Sequence, residues 1–170
     1  MKGIATLPIA ILICAGAAAA QDQQAESLKR LPPDIKTYLD KKYPDWKFLA
    51  LSAPVVECRD METKLHPSLV RGDFNGDGIP DFAVQIVHAR RVHAFEFLSQ
   101  GKLFKVNPLF EQRQVPGKEF RAALVLERKG QKTEVGTVEK VDTLKVSDCE
   151  SVPLRFVYRN GRVRDDSPRD

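Results

Sequence analysis

The sequence predicts an α+β fold in which an N-terminal amphipathic helix packs on a mostly antiparallel β-sheet. Apolar residues recur at helical spacing in one segment near the N-terminus, and alternation with period two dominates the segments that follow. Turns that contain glycine separate several of the alternating segments. We find no internal repeat and no low-complexity linker in the sequence, so a single domain accounts for these elements.

The first twenty residues have the composition of a secretory signal peptide. Lys2 precedes an apolar run over residues 4–15, and Ala18 and Ala20 occupy the small-residue positions of an Ala-x-Ala cleavage site. An uncleaved membrane anchor is the alternative, but Pro8 interrupts a run that is already short for a membrane span. We therefore expect cleavage after Ala20, a secreted or periplasmic protein, and no transmembrane segment after cleavage.

Cleavage would leave 150 of the 170 residues, which is enough for one ordinary domain. We place that domain at residues 21–164, followed by a disordered tail at 165–170. The whole chain has 27 Lys and Arg against 23 Asp and Glu, a formal net charge of +4. So mild and scattered a surplus is typical of a solvated surface and argues against nucleic acid as a partner.

Loss of the leader removes Cys14 and leaves two cysteines, Cys58 and Cys149, which we expect to form one disulfide in an oxidising compartment. On the chain-entropy model, a loop of about 90 residues makes this bond worth roughly 4 to 5 kcal/mol. A catalytic or metal-binding thiol is the alternative, but the sequence has no Cys-x-x-Cys pair.

The predicted helix has one apolar and aromatic face, formed by Leu31, Ile35, Tyr38, Leu39 and Tyr43. Pro32 and Pro33 fall where a first helical turn tolerates proline, and Pro44 must end the helix. Asp34 lies near the positive end of the helix dipole. This face is expected to pack on the core.

Strand character follows in eight segments: Lys47–Leu51, Pro54–Cys58, Phe82–Val87, Val92–Leu98, Lys102–Val106, Phe120–Glu127, Leu154–Arg159 and Arg162–Arg164. His88 follows the third of these and His93 lies in the fourth, and the spacing leaves their relative placement open across a turn. Asn160-Gly161 fits a type I′ turn, so the last two segments are predicted to form a hairpin.

Residues 73–81 have the pattern of a calcium loop. Its oxygen-bearing side chains, at places 1, 3, 5 and 9, are those of Asp73, Asn75, Asp77 and Asp81. Ile79 is expected to add its main-chain carbonyl, and Gly76 and Gly78 permit backbone angles that other residues disfavour. Ca²⁺ prefers about six to eight hard oxygen ligands, and these residues supply several of them. The positive charge of one ion would also cancel the repulsion among the three carboxylates.

The loop is not an EF-hand, because Val84 stands at the twelfth place, where an EF-hand has a bidentate acid. The run over residues 72–84 instead resembles the FG-GAP or VCBS-type calcium repeat, in which such a loop joins two antiparallel strands of a secreted protein. That resemblance implies the same ligand set, with four side chains and the carbonyl of Ile79. It covers about a dozen residues, so a propeller or an adhesive role is not implied.

Our first functional hypothesis is a non-enzymatic calcium-binding domain, with a structural ion and an unknown extracellular or envelope partner. The second is a small secreted hydrolase or an enzyme inhibitor that calcium rigidifies. The sequence has no Gly-x-Ser-x-Gly or His-Glu-x-x-His motif to support the enzyme. A protruding apolar loop would support the inhibitor, and the candidate is Val106–Pro116 with Leu109 and Phe110.

Overall fold

The computed structural model describes residues 24–50, 68–114, 120, 122–131, 138–147 and 154–167. Within these residues the chain forms two helices and two antiparallel sheets, so the α+β class holds. The sequence predicted one helix and one sheet, and the structure differs in having two of each. The predicted signal peptide, Cys58 and Cys149 all lie outside the described residues.

The helices precede all the strands. Helix α1 covers residues 24–30, and helix α2 spans Pro33–Lys42. Proline occupies the start of α2, where a missing N–H leaves no intrahelical bond unmade. The helix ends at Lys42; the N–H of the next residue, Tyr43, donates to the Leu39 carbonyl at 2.8 Å, and Pro44 follows.

The first sheet contains β1 (Lys47–Phe48), β2 (Leu69–Gly72), β3 (Asp81–His88), β4 (Arg91–Gln100) and β5 (Leu103–Arg113). Its order is β1-β3-β4-β5, and β2 also pairs with β3. The second sheet contains β6 (Ala123–Glu127), β7 (Thr143–Ser147), β8 (Leu154–Arg159) and β9 (Arg162–Asp165), paired in sequence order. Every pairing in both sheets is antiparallel.

Two apolar clusters lie on opposite faces of the first sheet. The cluster on the helix side comprises Leu31, Ile35, Leu39, Phe48, Leu69, Val84, Ile86, Phe95 and Phe97. The cluster between the two sheets comprises Val70, Phe74, Ala83, Leu98, Leu124, Leu144, Val146 and Phe156. Strand β4 is therefore buried on both faces, and residues 92–99 are all buried, including the polar His93, Glu96 and Ser99.

Strand β5 continues beyond the predicted end at Val106. It passes through Pro108, which an edge strand tolerates, and the β4–β5 register shifts between Ala94 and Phe95. Leu109 and Phe110 pack against the cluster between the sheets. Residues 106–113 of the predicted Val106–Pro116 loop are therefore part of the sheet, and residues 115–116 lie outside the described residues.

The first residues of the predicted tail, 165–167, are among the described residues, whereas residues 168–170 are not. Asp165 ends β9, and the Asp166 carboxylate accepts a hydrogen bond from the Arg155 guanidinium at 2.9 Å. The Ser167 hydroxyl accepts another from the Arg155 main-chain N–H at 2.9 Å. The largely buried Arg155 needs anionic partners, and Asp166 is one of them.

Candidate calcium site

The loop of residues 73–80 connects β2 to β3, which pair antiparallel up to Gly72 and Asp81. Gly76 and Gly78 both have φ of 79°, in the left-handed region that glycine occupies without a Cβ clash. Four of the five predicted ligand residues lie in this connection, and the fifth, Asp81, is the first residue of β3.

Asp81 closes the base of the loop from inside the protein. Its side chain is fully buried, and its Oδ1 accepts the Ser99 N–H at 2.7 Å. Its Oδ2 accepts the N–H groups of Phe74 at 2.9 Å and Asn75 at 3.3 Å. Burial raises the pKa of Asp81 to about 6, with a smaller contribution from the nearby Asp77 charge, although the three N–H donors oppose the shift.

The other three side chains organise the tip of the loop by bonding to its backbone. Asp73 Oδ1 accepts the Gly76 N–H at 2.9 Å, and Asn75 Oδ1 accepts the Asp77 N–H at 2.9 Å. Asp77 Oδ1 accepts the Ile79 N–H at 2.7 Å, while its Oδ2 accepts the Asn75 side-chain amide at 2.9 Å. Each is a short-range turn of the kind that Asp and Asn favour.

These residues fit calcium in part. A carboxylate oxygen that accepts one N–H keeps a second lone pair for a metal, so the backbone bonds do not exhaust the donors. However, in the part of the chain that the structure describes, no three His, Cys, Asp or Glu side chains converge as a metal-holding group. Calcium binding would require the half-buried Asn75 and the exposed Asp77 to give up their mutual side-chain bond and turn inward.

The residue immediately before β7 holds the loop, and no pattern in the sequence indicates it. Asp142 is buried, and its Oδ2 accepts the main-chain N–H of Asp73 at 2.9 Å. Its own N–H donates to the Asp73 carbonyl at 3.1 Å. Asp142 also accepts the main-chain N–H of Lys129 at 2.9 Å and a guanidinium N–H of Arg128 at 3.2 Å. The first ligand position of the loop is thus fixed by the start of β7.

The loop approaches the second sheet closely. A Cβ added at Gly76 would lie 2.7 Å from Cγ1 of Val141, just before β7, and one added at Gly72 would lie 3.0 Å from Cδ1 of Leu126 in β6. Both distances are shorter than ordinary carbon contacts, so the small size of glycine matters here as well as its backbone freedom.

Other groups that could carry chemistry lie elsewhere. Glu96 is buried, accepts the Asn107 side-chain amide at 3.1 Å, and has its pKa raised to about 7 chiefly by burial. Glu96 and Asp81 both have raised pKa values, but both side chains are buried, so neither is placed to act on a substrate as a general acid or base.

His88 and His93 lie on one face of the β3–β4 hairpin, with ring centroids 6.4 Å apart, because the turn at residues 89–90 separates them. His93 Nδ1 lies 3.5 Å from Glu111 Oε2, and its ring stacks on Phe95. Burial lowers the pKa of His93. The surroundings are those of a neutral histidine in an aromatic cluster.

No family model matches the chain, and neither a curated protein nor a solved structure matches it. Among the described residues, neither helix is long and apolar enough to cross a membrane.

Proposed function

We propose that the protein is a secreted or periplasmic, non-enzymatic calcium-binding domain, whose single FG-GAP or VCBS-like loop holds a structural ion. The proposed ligands are the side chains of Asp73, Asn75, Asp77 and Asp81 and the main-chain carbonyl of Ile79. The exposed surface would serve as a binding module for an extracellular or envelope partner. The observation that carries the proposal is that this loop is anchored to the second sheet through Asp142.

The anchoring explains what an ion would do. Asp73 is bonded to Asp142, which immediately precedes β7 of the second sheet, and Asp81 is bonded to Ser99 of the first sheet. A cation that draws Asp73 and Asp81 together would therefore stabilise the junction between the sheets as well as the β2–β3 connection. At ~1 mM Ca²⁺ and a Kd of ~0.1 mM, typical of extracellular sites, the stabilisation is about 1.4 kcal/mol.

The proposed disulfide would act on the same junction. Cys58 lies in the chain between β1 and β2 of the first sheet, and Cys149 lies between β7 and β8 of the second. A bond between them would tie the two sheets covalently in an oxidising compartment. Titration of the unfolded, unreduced protein should find no free thiol from this pair, and two reactive thiols would contradict the bond.

The proposal is tested by thermal melting of the purified protein in millimolar Ca²⁺ and in EDTA. Calcium should raise the melting temperature, and EDTA should reverse the change. Asp77→Asn should weaken the response, because it removes one ligand charge at the exposed tip and keeps only a neutral oxygen there. Asp45→Asn is the matched control: Asp45 is exposed between α2 and β1, and asparagine tolerates its positive φ of 61°. A wild-type melting curve that does not respond to calcium would refute the site.

A further inference from the structure

The Lys129 ammonium lies beside the first carboxylate of the loop. Lys129 Nζ is 3.5 Å from Asp73 Oδ2, although 56 residues separate the two in sequence. The Lys129 side chain is 59% exposed and that of Asp73 is 14% exposed. A largely exposed ammonium group therefore lies beside a largely buried carboxylate.

The backbone sets this approach. The main-chain N–H of Lys129 donates to Asp142 Oδ1 at 2.9 Å, while Asp142 Oδ2 accepts the N–H of Asp73 at 2.9 Å. One buried carboxylate thus bridges the two residues whose side chains form the ion pair. The turn that follows β6 closes with the Gln131 N–H donating to the Arg128 carbonyl at 3.2 Å. The main chain of Lys129 is consequently held close to Asp73, and the side chain reaches the Asp73 carboxylate from there.

The ammonium lies at the oxygen that a metal would need. Asp73 Oδ1 accepts the Gly76 N–H at 2.9 Å, which leaves Oδ2 as the oxygen more open to a cation. Lys129 Nζ approaches that same Oδ2. An ammonium and a calcium ion cannot both contact one carboxylate oxygen closely without strong mutual repulsion.

We propose that Lys129 is a tethered cation that competes with calcium for Asp73. This inference rests on the proposed function of the loop. In the calcium-free state the ammonium partly neutralises Asp73, and in the calcium-bound state it is displaced into solvent. By thermodynamic linkage, the Lys129–Asp73 pair weakens calcium binding by the same factor by which calcium weakens the pair. With Lys129 present, the loop would thus bind calcium more weakly than the same oxygen ligands would without it.

The test is calorimetric titration of Ca²⁺ into the purified protein and three lysine variants. Lys129→Met removes the charge and keeps an apolar stem, and should tighten the Kd about three- to tenfold, as expected for loss of an exposed ion pair and of repulsion from the ion. Lys129→Arg keeps the charge and should bind calcium within about twofold of wild type. Lys41→Met removes one exposed charge from α2, on the helix layer, and should leave the Kd unchanged.

The outcomes separate the two proposals. Equal or weaker binding by Lys129→Met, with wild-type binding intact, would overturn competition by Lys129 and leave the calcium site standing. Binding by neither protein at Ca²⁺ several times above a Kd of about 1 mM would overturn both. Binding by Lys129→Met alone would support both. Melting in EDTA shows that each variant is folded before titration.

Discussion

The carboxylate of Asp142 accepts the main-chain N–H of Asp73 at 2.9 Å, across 69 residues of sequence. The return bond, from the Asp142 N–H to the Asp73 carbonyl at 3.1 Å, makes the contact reciprocal. Asp73 begins the loop between β2 and β3, and Asp142 immediately precedes β7. The two sheets are therefore joined by polar bonds at the candidate site as well as by the apolar cluster between them.

Replacement of Asp142 should destabilise the protein strongly. Asp142→Ala leaves the N–H groups of Asp73 and Lys129 without their acceptor, and we expect a loss of about 2 to 4 kcal/mol. Asp142→Asn keeps one acceptor oxygen and should lose less. Urea denaturation in EDTA measures both, so that calcium does not contribute. A loss below ~0.5 kcal/mol for Asp142→Ala would contradict the anchoring role.

The features of this fold that the sequence predicts correctly have strong local signals. The features that it does not predict have either a weak local signal or a partner far away in the sequence. The Asn160-Gly161 turn is confirmed: φ is 52° and 76° at these residues, and Arg159 pairs with Arg162 across the turn. Strand β7 was missed because its alternation covers only five residues, with two apolar side chains, Leu144 and Val146. Asp142 was missed for a different reason, since nothing in the sequence around an isolated aspartate shows that its partner lies 69 residues away.

The two loop glycines should respond differently to alanine. Both have φ of 79°, so each substitution carries the conformational penalty of about 1 to 2 kcal/mol for a left-handed non-glycine residue. A Cβ at Gly76 would also lie 2.7 Å from Val141, whereas a Cβ at Gly78 meets nothing within 4 Å. Denaturation in EDTA should therefore show that Gly76→Ala loses more stability than Gly78→Ala.

A second substitution identifies the cause of that difference. Val141→Ala removes the methyl group that a Cβ at Gly76 would meet. In a double-mutant cycle, Val141→Ala should recover part of the extra loss of Gly76→Ala and none of the loss of Gly78→Ala. Additive effects in both pairs would show that the loop does not press on Val141.

Arg155 should be far more important than its neighbour Arg159. The Arg155 side chain is 11% exposed and bonds to Glu127 at 3.3 Å, Glu139 at 2.6 Å and Asp166 at 2.9 Å. Arg155→Met leaves two mostly buried glutamates without this partner, for an expected loss of about 3 to 5 kcal/mol. Arg159 shares Glu139 and Asp166 but is 53% exposed, so Arg159→Met should lose about 1 kcal/mol or less. Similar losses in urea denaturation would contradict the buried network.

Glu96 should make the protein less stable as the pH rises, which is the opposite of the effect of an acid whose pKa is lowered on folding. Its pKa in the folded protein is raised to about 7 from 4.5, mainly by burial and secondarily by the Asp81 charge, while Asn107 and Lys105 oppose the shift. The folded state therefore holds a proton that the unfolded state releases. Ionisation of Glu96 does not change the free energy of unfolding below pH 4.5. It lowers the free energy of unfolding progressively between pH 4.5 and about pH 7, and the loss is complete above about pH 7.

Glu96→Gln isolates this contribution. The amide oxygen of glutamine can still accept the Asn107 N–H, so the substitution removes the charge and keeps the bond. At pH 8 the variant should be more stable than wild type by up to about 3 kcal/mol, and at pH 4 the two should agree. Denaturant titrations at both pH values in EDTA measure the difference without a calcium contribution. An advantage of the same size at pH 4 and pH 8 would mean that the carboxyl does not ionise in this range, and that the gain comes from packing.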